Sequence, residues 1–489
     1  MQRPQTFYWY DYETFGNNPT RDWPAQFAGI RTDADFNETE PPLELFCRLP
    51  ADKLPQIDAC LITGLTPQMT HENGLCEADF ISKINQVFSD PGTCVTGYNS
   101  LNFDDEVTRF SLYRNFLDPY AREWQNGNSR WDLINTVRLY AALRPEHINW
   151  PVNEDGTVSF KLEQLTKINN IGHDEAHNAV SDVRATIELA RLLRKTQPKM
   201  LDYVLTHKDK ISAAHLLDLK GQKPVIHVSG RYSAKQACMA VVIPLALHPV
   251  NKNEIIVCDL SYDPAEWINC SEEEMSRRIF SKNEILEQEG MQRIPLKTVR
   301  INRCPVIVPF SACRPEDKKR LEINQSILEK HYVQLKDNSL LAEKLVNVFS
   351  ERKFEKTSDS DPDQMLYSGG FFSSADKNII DQVSQASPDD LGKKQWHFND
   401  KRLPKMLFRY RARNWPETLS EEEALNWKKF CQTYFLQPNT ADNSEVSRLE
   451  CFINQIKCDL EETKYTKKDK EILNHLFEYG KNIKERLSD

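Results

Sequence analysis

The run TFYWYDY at residues 6–12 constrains the fold of this chain more than any other stretch. It is aromatic and β-prone, so it reads as a strand, and it leads into Asp11-Tyr12-Glu13. In a strand, residues i and i+2 point to the same side, so the two carboxylates project together. Neighbouring carboxylates repel unless a cation lies between them. Hard divalent ions such as Mg²⁺ take oxygen ligands of this kind. An ordinary surface charge pair has the same sequence, and the tripeptide alone does not separate the two.

Further strands are expected at 24–31, 43–49 and 93–99, and amphipathic helices at 76–89, 104–116, 131–143, 159–169 and 179–197. Strands first, then helices with strands interspersed, make an α/β domain over residues 1–197. The texture then changes. PVIHVS (224–229), ACMAVVIPLAL (237–247), EIIVCDL (254–260) and PVIVP (305–309) read as strands separated by Gly, Pro and Asn turns. They define a β-rich domain over 198–351, with helix expected again at 322–350. The polar stretch KTSDSDPDQ (356–364) is the expected linker. Residues 352–489 are mainly helical, with a capping box of Ser420 and Glu423 and long helices at 444–462 and 467–487. A length of 489 residues, at about 150 per domain, agrees with three.

Hydrophobic residues are 39% and charged residues 28%, which excludes wholesale disorder. The longest apolar stretch, 239–250, contains Pro244, His248 and Pro249 and falls well short of the about 20 residues of a membrane span. No cationic–apolar leader is read at the start, so a cytoplasmic location is expected, with no membrane. The twelve cysteines are scattered without a C-x-x-C, which fits reduced thiols used as small hydrophobes rather than a zinc site or disulfide framework. The net charge of −9 lies in the first domain. Residues 1–197 carry 18 Lys+Arg against 28 Asp+Glu, and the remainder 45 against 44. An acidic domain of this kind suits a carboxylate-rich metal site followed by neutral modules that hold a charged substrate. Surface solubility explains it as well.

Two more acidic motifs follow Asp11 and Glu13. Asn102-Phe103-Asp104-Asp105-Glu106 opens a helix, and His177-Asn178-Ala179-Val180-Ser181-Asp182 leads into another. Each alone is explained by the preference of helix N-termini for acids. Together they have a common chemistry. Four carboxylates can hold two metal ions about 3.5–4 Å apart, the spacing used for in-line phosphoryl chemistry, and a nearby His can take the proton from a water.

This order and spacing resemble the DEDDh class of 3′→5′ exonucleases, which have an RNase H-like fold. The strings YDYETFG (10–16), GYNSLNFDDEVTRF (97–110), RNFLDPYAREWQNGNSRWDL (114–133), ALRPEHINWP (142–151), KPVIHVSG (223–230) and RYRARNWP (409–416) are similar to the bacterial exodeoxyribonuclease I family over nearly the whole chain. The resemblance implies an α/β RNase H-like exonuclease domain, an SH3-like β-rich domain and a C-terminal, mainly helical domain. It implies hydrolysis of single-stranded DNA from the 3′ end to 5′-mononucleotides, in DNA repair and recombination, by a processive monomer using two Mg²⁺ ions, for which Mn²⁺ substitutes. Asp11, Glu13, Asp104 and Asp182 are then the acidic quartet and His177 the base, and Glu13 also meets the terminal 3′-hydroxyl. The family pattern has an Arg at the position of Lys161. A Lys supplies the charge at the scissile phosphate but not a bidentate fork.

A single-strand-binding surface combines basic residues with aromatic faces. Within 109–138 the resemblance favours Arg109, Tyr120, Trp124 and Arg138 as strand contacts, whereas composition alone allows core aromatics with solvated arginines. Tyr367 and Phe371 flank a glycine turn that suits base stacking, or a plug between domains. Basic patches at 291–320 and 401–415 could track a phosphate backbone, receive an acidic peptide, or be snorkelling side chains. Family members bind the acidic C-terminal tail of the single-stranded-DNA-binding protein. By position, Arg144, Tyr203, Lys223 and Arg314 are the candidates for that pocket. An RNA-directed exonuclease of the same chemistry is the nearest alternative, because no motif reads the 2′-hydroxyl. A non-catalytic strand-binding scaffold is the other, and the intact quartet and His speak against it.

Overall fold

Alternation along the first strand decides how the first sheet is covered. In the computed structural model, which describes residues 5–172, 178–350, 361–438 and 446–488, β1 spans Thr6–Thr14. Phe7 and Trp9 face one core with Trp131 and the helix Ala179–Thr196. Tyr8, Tyr10 and Tyr12 face the other, with Phe27, Phe80 and Phe88. Successive side chains of a strand point to opposite faces, so an unbroken aromatic run requires cover on both sides. β2 (Pro24–Thr32) pairs antiparallel with β1, and β3 (Leu43–Phe46) with β2. β4 (Thr93–Gly97) runs parallel to β1, and β5 (Ser129–Asp132) parallel to β4. The order is β3-β2-β1-β4-β5.

β5 is absent from the sequence reading, which placed 131–143 in a helix. The helix starts at Leu133, because the Asp132 side chain caps it by accepting the Ile134 N–H at 3.0 Å. That cap requires extended backbone at Asp132.

A second sheet is wholly antiparallel, in the order β10-β6-β7-β8-β9. Its strands are β6 (Val225–Val228), β7 (Met239–Leu247), β8 (Glu254–Asp259), β9 (Leu296–Arg300) and β10 (Val306–Pro309). The apolar run seen in the sequence is β7, and Pro244 lies at a register shift in its pairing with β8, where a missing N–H is tolerated. β9 was not expected. Residues 322–350 form two helices, Gln325–Leu335 and Ser339–Ser350, separated at Asp337, whose φ is 57°.

Beyond residue 361 the chain is helical, and the Ser420–Glu423 capping box is present. Of the expected linker, 356–360 lie outside the described residues, and Pro362–Gln364 is a short 3-10 turn. The helices Arg448–Glu461 and Lys467–Ser488 complete the core on the tyrosine side of β1. The junction with the first sheet is also ionic. Arg413 donates to Asp52 and Asp363, all three buried or nearly so, and Arg114 and Arg413 lie 3.9 and 5.0 Å from the ring centroid of Trp23. All twelve cysteines are free thiols. Among the described residues no helix is long and apolar enough to cross a membrane.

Candidate active site

The acidic residues converge because β4 leaves the sheet early. Its pairing with β1 runs only from Thr6–Thr93 to Trp9–Thr96, and β4 ends at Gly97. At Gly97 a side chain would collide with the Tyr10 carbonyl, 2.7 Å from an ideal Cβ, so only glycine allows the chain to pass this close. Beyond that point the edge of β1 has no strand partner on this side among the described residues. Asp104 fills the gap: its Oδ1 accepts the Tyr12 N–H at 3.2 Å. Asp104 is thus tied to the residue between Asp11 and Glu13.

Asp11 and Glu13 lie on the face of β1 covered by the Ala179–Thr196 helix. The Asn178 side chain caps that helix through the Val180 and Ser181 N–H groups, which sets Asp182 in its first turn. Asp11, Glu13 and Asp182 each offer a carboxylate oxygen, and these lie within 4.8 Å of one another. Burial, then the charges of Asp104 and Asp182, pushes the Asp11 carboxyl well above its ordinary range. Burial, Asp11 and Asp182 push Glu13 up to about 9. Burial raises Asp104 to about 8, against the Tyr12 hydrogen bond. Carboxylates buried beside other acids, as Asp11 and Glu13 are, are costly as they stand and are relieved by divalent cations. Among the described residues the donors are all carboxylate oxygens, of the kind that hard divalent cations such as Mg²⁺ and Mn²⁺ accept.

The loop that delivers Asp104 is held by Asp132, which sequence reasoning missed. Its carboxylate accepts the N–H groups of Asn99 (2.9 Å) and Leu101 (3.2 Å) besides that of Ile134. Burial raises it to about 6 against those three bonds. The only available signal was an Asp between a tryptophan and an apolar helix.

The remaining expected residues are spread around this centre. His177 lies outside the described residues. Lys161 is exposed, just before the helix Leu162–Ile168, and the carbonyl of Phe160 beside it accepts from Tyr98 at 2.6 Å. Arg138 lies over Phe160, 5.6 Å from the ring, with its Nε buried and unpartnered. Trp124 is 67% exposed and Phe371 95%, the latter following Gly370, whose φ of 73° suits glycine. Arg109 is buried. It donates to Glu123 (2.8 Å), Glu106 (2.9 Å) and Tyr367 (3.2 Å) and lies over the half-buried ring of Tyr120. Glu106, two residues from Asp104, accepts from Arg109, from Arg303 of the second sheet's region and from Tyr367 of the helical region. It was not singled out from sequence.

Arg144 and Arg314 are brought together by Asp317, at 3.3 and 2.9 Å, and Arg314 also binds Glu146. Tyr203 stacks on His207 and donates to the carbonyl of Ile307 in β10 at 3.4 Å. Lys223 is exposed just before β6, whose first residue, Val225, pairs with Pro309 at the end of β10. All four candidates therefore border β10 or the segment that follows it.

Comparison with known proteins gives one answer along the whole chain. The family pattern described as Exonuclease matches residues 8–190, that of the Exonuclease I SH3-like domain 208–351, and that of the Exonuclease I C-terminal domain 360–483. The exodeoxyribonuclease I of Haemophilus influenzae is 41% identical over 449 residues, covering 92% of this chain and 94% of that protein. The crystal structure of Escherichia coli exonuclease I in complex with a dA16 oligonucleotide aligns with a TM-score of 0.92 at 40% identity, over 98% of this chain and 100% of that one. A moderately thermophilic exonuclease I from Methylocaldum szegediense aligns with a TM-score of 0.91 at 46% identity, over 98% and 99%.

Proposed function

The chain belongs to the exodeoxyribonuclease I family, and from that premise we propose that it hydrolyses single-stranded DNA from the 3′ end, releasing 5′-mononucleotides. The observation that carries this reading is the convergence of Asp11, Glu13 and Asp182 within 4.8 Å, with Asp104 bound to the amide between the first two. Asp11, Glu13 and Asp182 would hold divalent cations, Mg²⁺ in this reading, with Asp104 at the outer side. Bound there, such ions lower the pKa of a water and offset the charge that develops on the phosphate. His177 accepts the proton of the attacking water. The P–O3′ bond of the terminal phosphodiester breaks, and the oxygen stays with the shortened strand. Glu13 receives the terminal 3′-hydroxyl, and Lys161 steadies the phosphate.

Three domains share the work, over 1–197, 198–351 and 352–489. Trp124 and Phe371 offer faces for bases, Arg138 has an unspent buried donor, and Arg109 orders Tyr120 and Tyr367 beside them. Such a grip on one strand makes the enzyme processive as a monomer. We assign Arg144, Tyr203, Lys223 and Arg314 to the acidic tail of the single-stranded-DNA-binding protein, whose carboxylates would compete with Asp317, and the cytoplasm as the compartment.

The test is a time course on a labelled single strand, a blunt duplex, a single-stranded circle and a matched RNA. Digestion of the linear DNA strand alone, abolished by chelator and restored by Mg²⁺, is expected. Equal digestion of the blunt duplex, or nicking of the circle, overturns the reading. Preference for the RNA moves the enzyme to the ribonuclease alternative.

A further inference from the structure

The turn that joins β9 to β10 is anchored on two domains. Ile301 packs in the core of the second sheet. The Asn302 carbonyl accepts from the Arg130 guanidinium at 3.2 Å, and the Cys304 thiol donates to the Arg130 carbonyl at 3.2 Å. Arg130 lies in β5, two residues before Asp132. Between these fixed points stands Arg303, its side chain three-quarters buried. Arg303 donates to the Glu106 carboxylate and, over a longer 3.5 Å, to the Leu101 carbonyl. Read in the sequence as part of a basic patch, it spends its charge on an acid of the first domain.

The two acceptors bracket Asp104. Leu101 lies three residues before it, in the loop that leaves β4, and Glu106 two residues after it, in the first turn of the helix Asp104–Arg114. Leu101 is also held at its N–H by Asp132, so the loop is gripped from β5 and from the second sheet's domain together. A lysine could serve one of these acceptors, whereas the planar guanidinium presents separate N–H groups to both. Asp104 in turn accepts the Tyr12 N–H, so a displacement of the loop is felt between Asp11 and Glu13. A shift of about 1 Å at such a site costs on the order of 100-fold in rate.

We propose that Arg303 is a positioning residue for cleavage: through this side chain the second sheet's domain holds the loop that carries Asp104 in register with Asp11 and Glu13. The first domain by itself then lacks one of the two grips on that loop. The inference rests on the nuclease reading above and extends it to a residue outside the nuclease domain.

The experiment compares wild type, Arg303→Met and Arg303→Lys after thermal melts establish folding. Hydrogen–deuterium exchange is followed in chelator over residues 97–106 and at the Tyr12 amide, which reports directly on Asp104. Both should exchange several-fold faster in Arg303→Met, with β7 and β8 unchanged. On a labelled oligo-dT with Mg²⁺, kcat should fall about 10–100-fold, with KM and the strand affinity in chelator unchanged. Arg303→Lys keeps the charge for Glu106 but has no second arm for Leu101. It should lie between wild type and Arg303→Met in both exchange and kcat, and it decides the matter should Arg303→Met not fold. Wild-type exchange over 97–106 and at Tyr12, or an unchanged kcat, in either variant overturns the assignment. So does a loss confined to KM and strand affinity, which makes Arg303 a strand contact. Wild type that does not cleave with Mg²⁺ overturns the nuclease reading itself, and the exchange comparison still decides whether Arg303 holds the loop.

Discussion

Asp11, Glu13 and Asp182 crowd their carboxylates together, and burial and the charges of neighbouring acids raise Asp11 as well as Glu13, which gives a prediction with two opposite signs. Asp11→Asn should lower cleavage more than about 100-fold, about 2.7 kcal/mol of barrier. In chelator, however, its melting temperature should equal or exceed that of wild type, because one repelling charge is gone. Single-turnover rates and melts in chelator check both halves, and a wild-type rate removes Asp11 from the ligand set. His177→Ala should lose roughly 10²–10⁴ and regain part of it as hydroxide replaces the base at high pH. The convergence of Asp11, Glu13, Asp104 and Asp182 was legible in the sequence because their order and spacing on predicted elements carried the family resemblance. Asp132 and Glu106 were not, since a single acid carries no pattern, and what distinguishes each is a neighbour distant in sequence.

At the scale of elements, the early departure of β4 opens the site, and Asp132 at the end of β5 holds the departing loop. Asp132→Ala leaves three N–H groups without their acceptor. At about 1 kcal/mol each it should cost about 3 kcal/mol in a urea melt. It should also slow cleavage without weakening strand binding in chelator, because Asp104 loses its position while the gripping surface does not. Asp132→Asn, which keeps one acceptor oxygen, should fall between. An unchanged rate in a destabilised Asp132→Ala would restrict the residue to a structural role. Long or strongly apolar elements such as β1, β7 and the Ala179–Thr196 helix were readable from periodicity. β5 has four residues, too few to show a period, and β9 (LKTVR) alternates with charges that read as a basic patch. The helix expected over 322–350 is broken at Asp337, a turn that tertiary packing imposes without Gly or Pro.

For the whole molecule, the helical region docks through charge as well as apolar contact. Burial works against the charge of Asp363, yet Arg413 and Arg409 outweigh it and hold its pKa down to about 2, and Asp52 is lowered through the same Arg413. An Asp depressed from about 3.9 in the unfolded chain contributes stability that is present above about pH 4 and lost as the pH falls towards 2, on the order of 2–3 kcal/mol. Urea melts at pH 7, 4 and 3 should follow that window. Arg413→Leu should cost about 3–5 kcal/mol at pH 7, with Asp52 left without its ion-pair partner and Asp363 held by Arg409 alone, and should flatten the acid limb. Wild-type acid sensitivity in Arg413→Leu would place the titration elsewhere. The three regions also meet at one carboxylate, for Glu106 accepts from Arg109, Arg303 and Tyr367 within the helical turn that begins with Asp104. The hinge pin of the assembly and one blade of its cutter are therefore forged from the same turn. Loss of either outlying donor would be felt within the turn that carries Asp104.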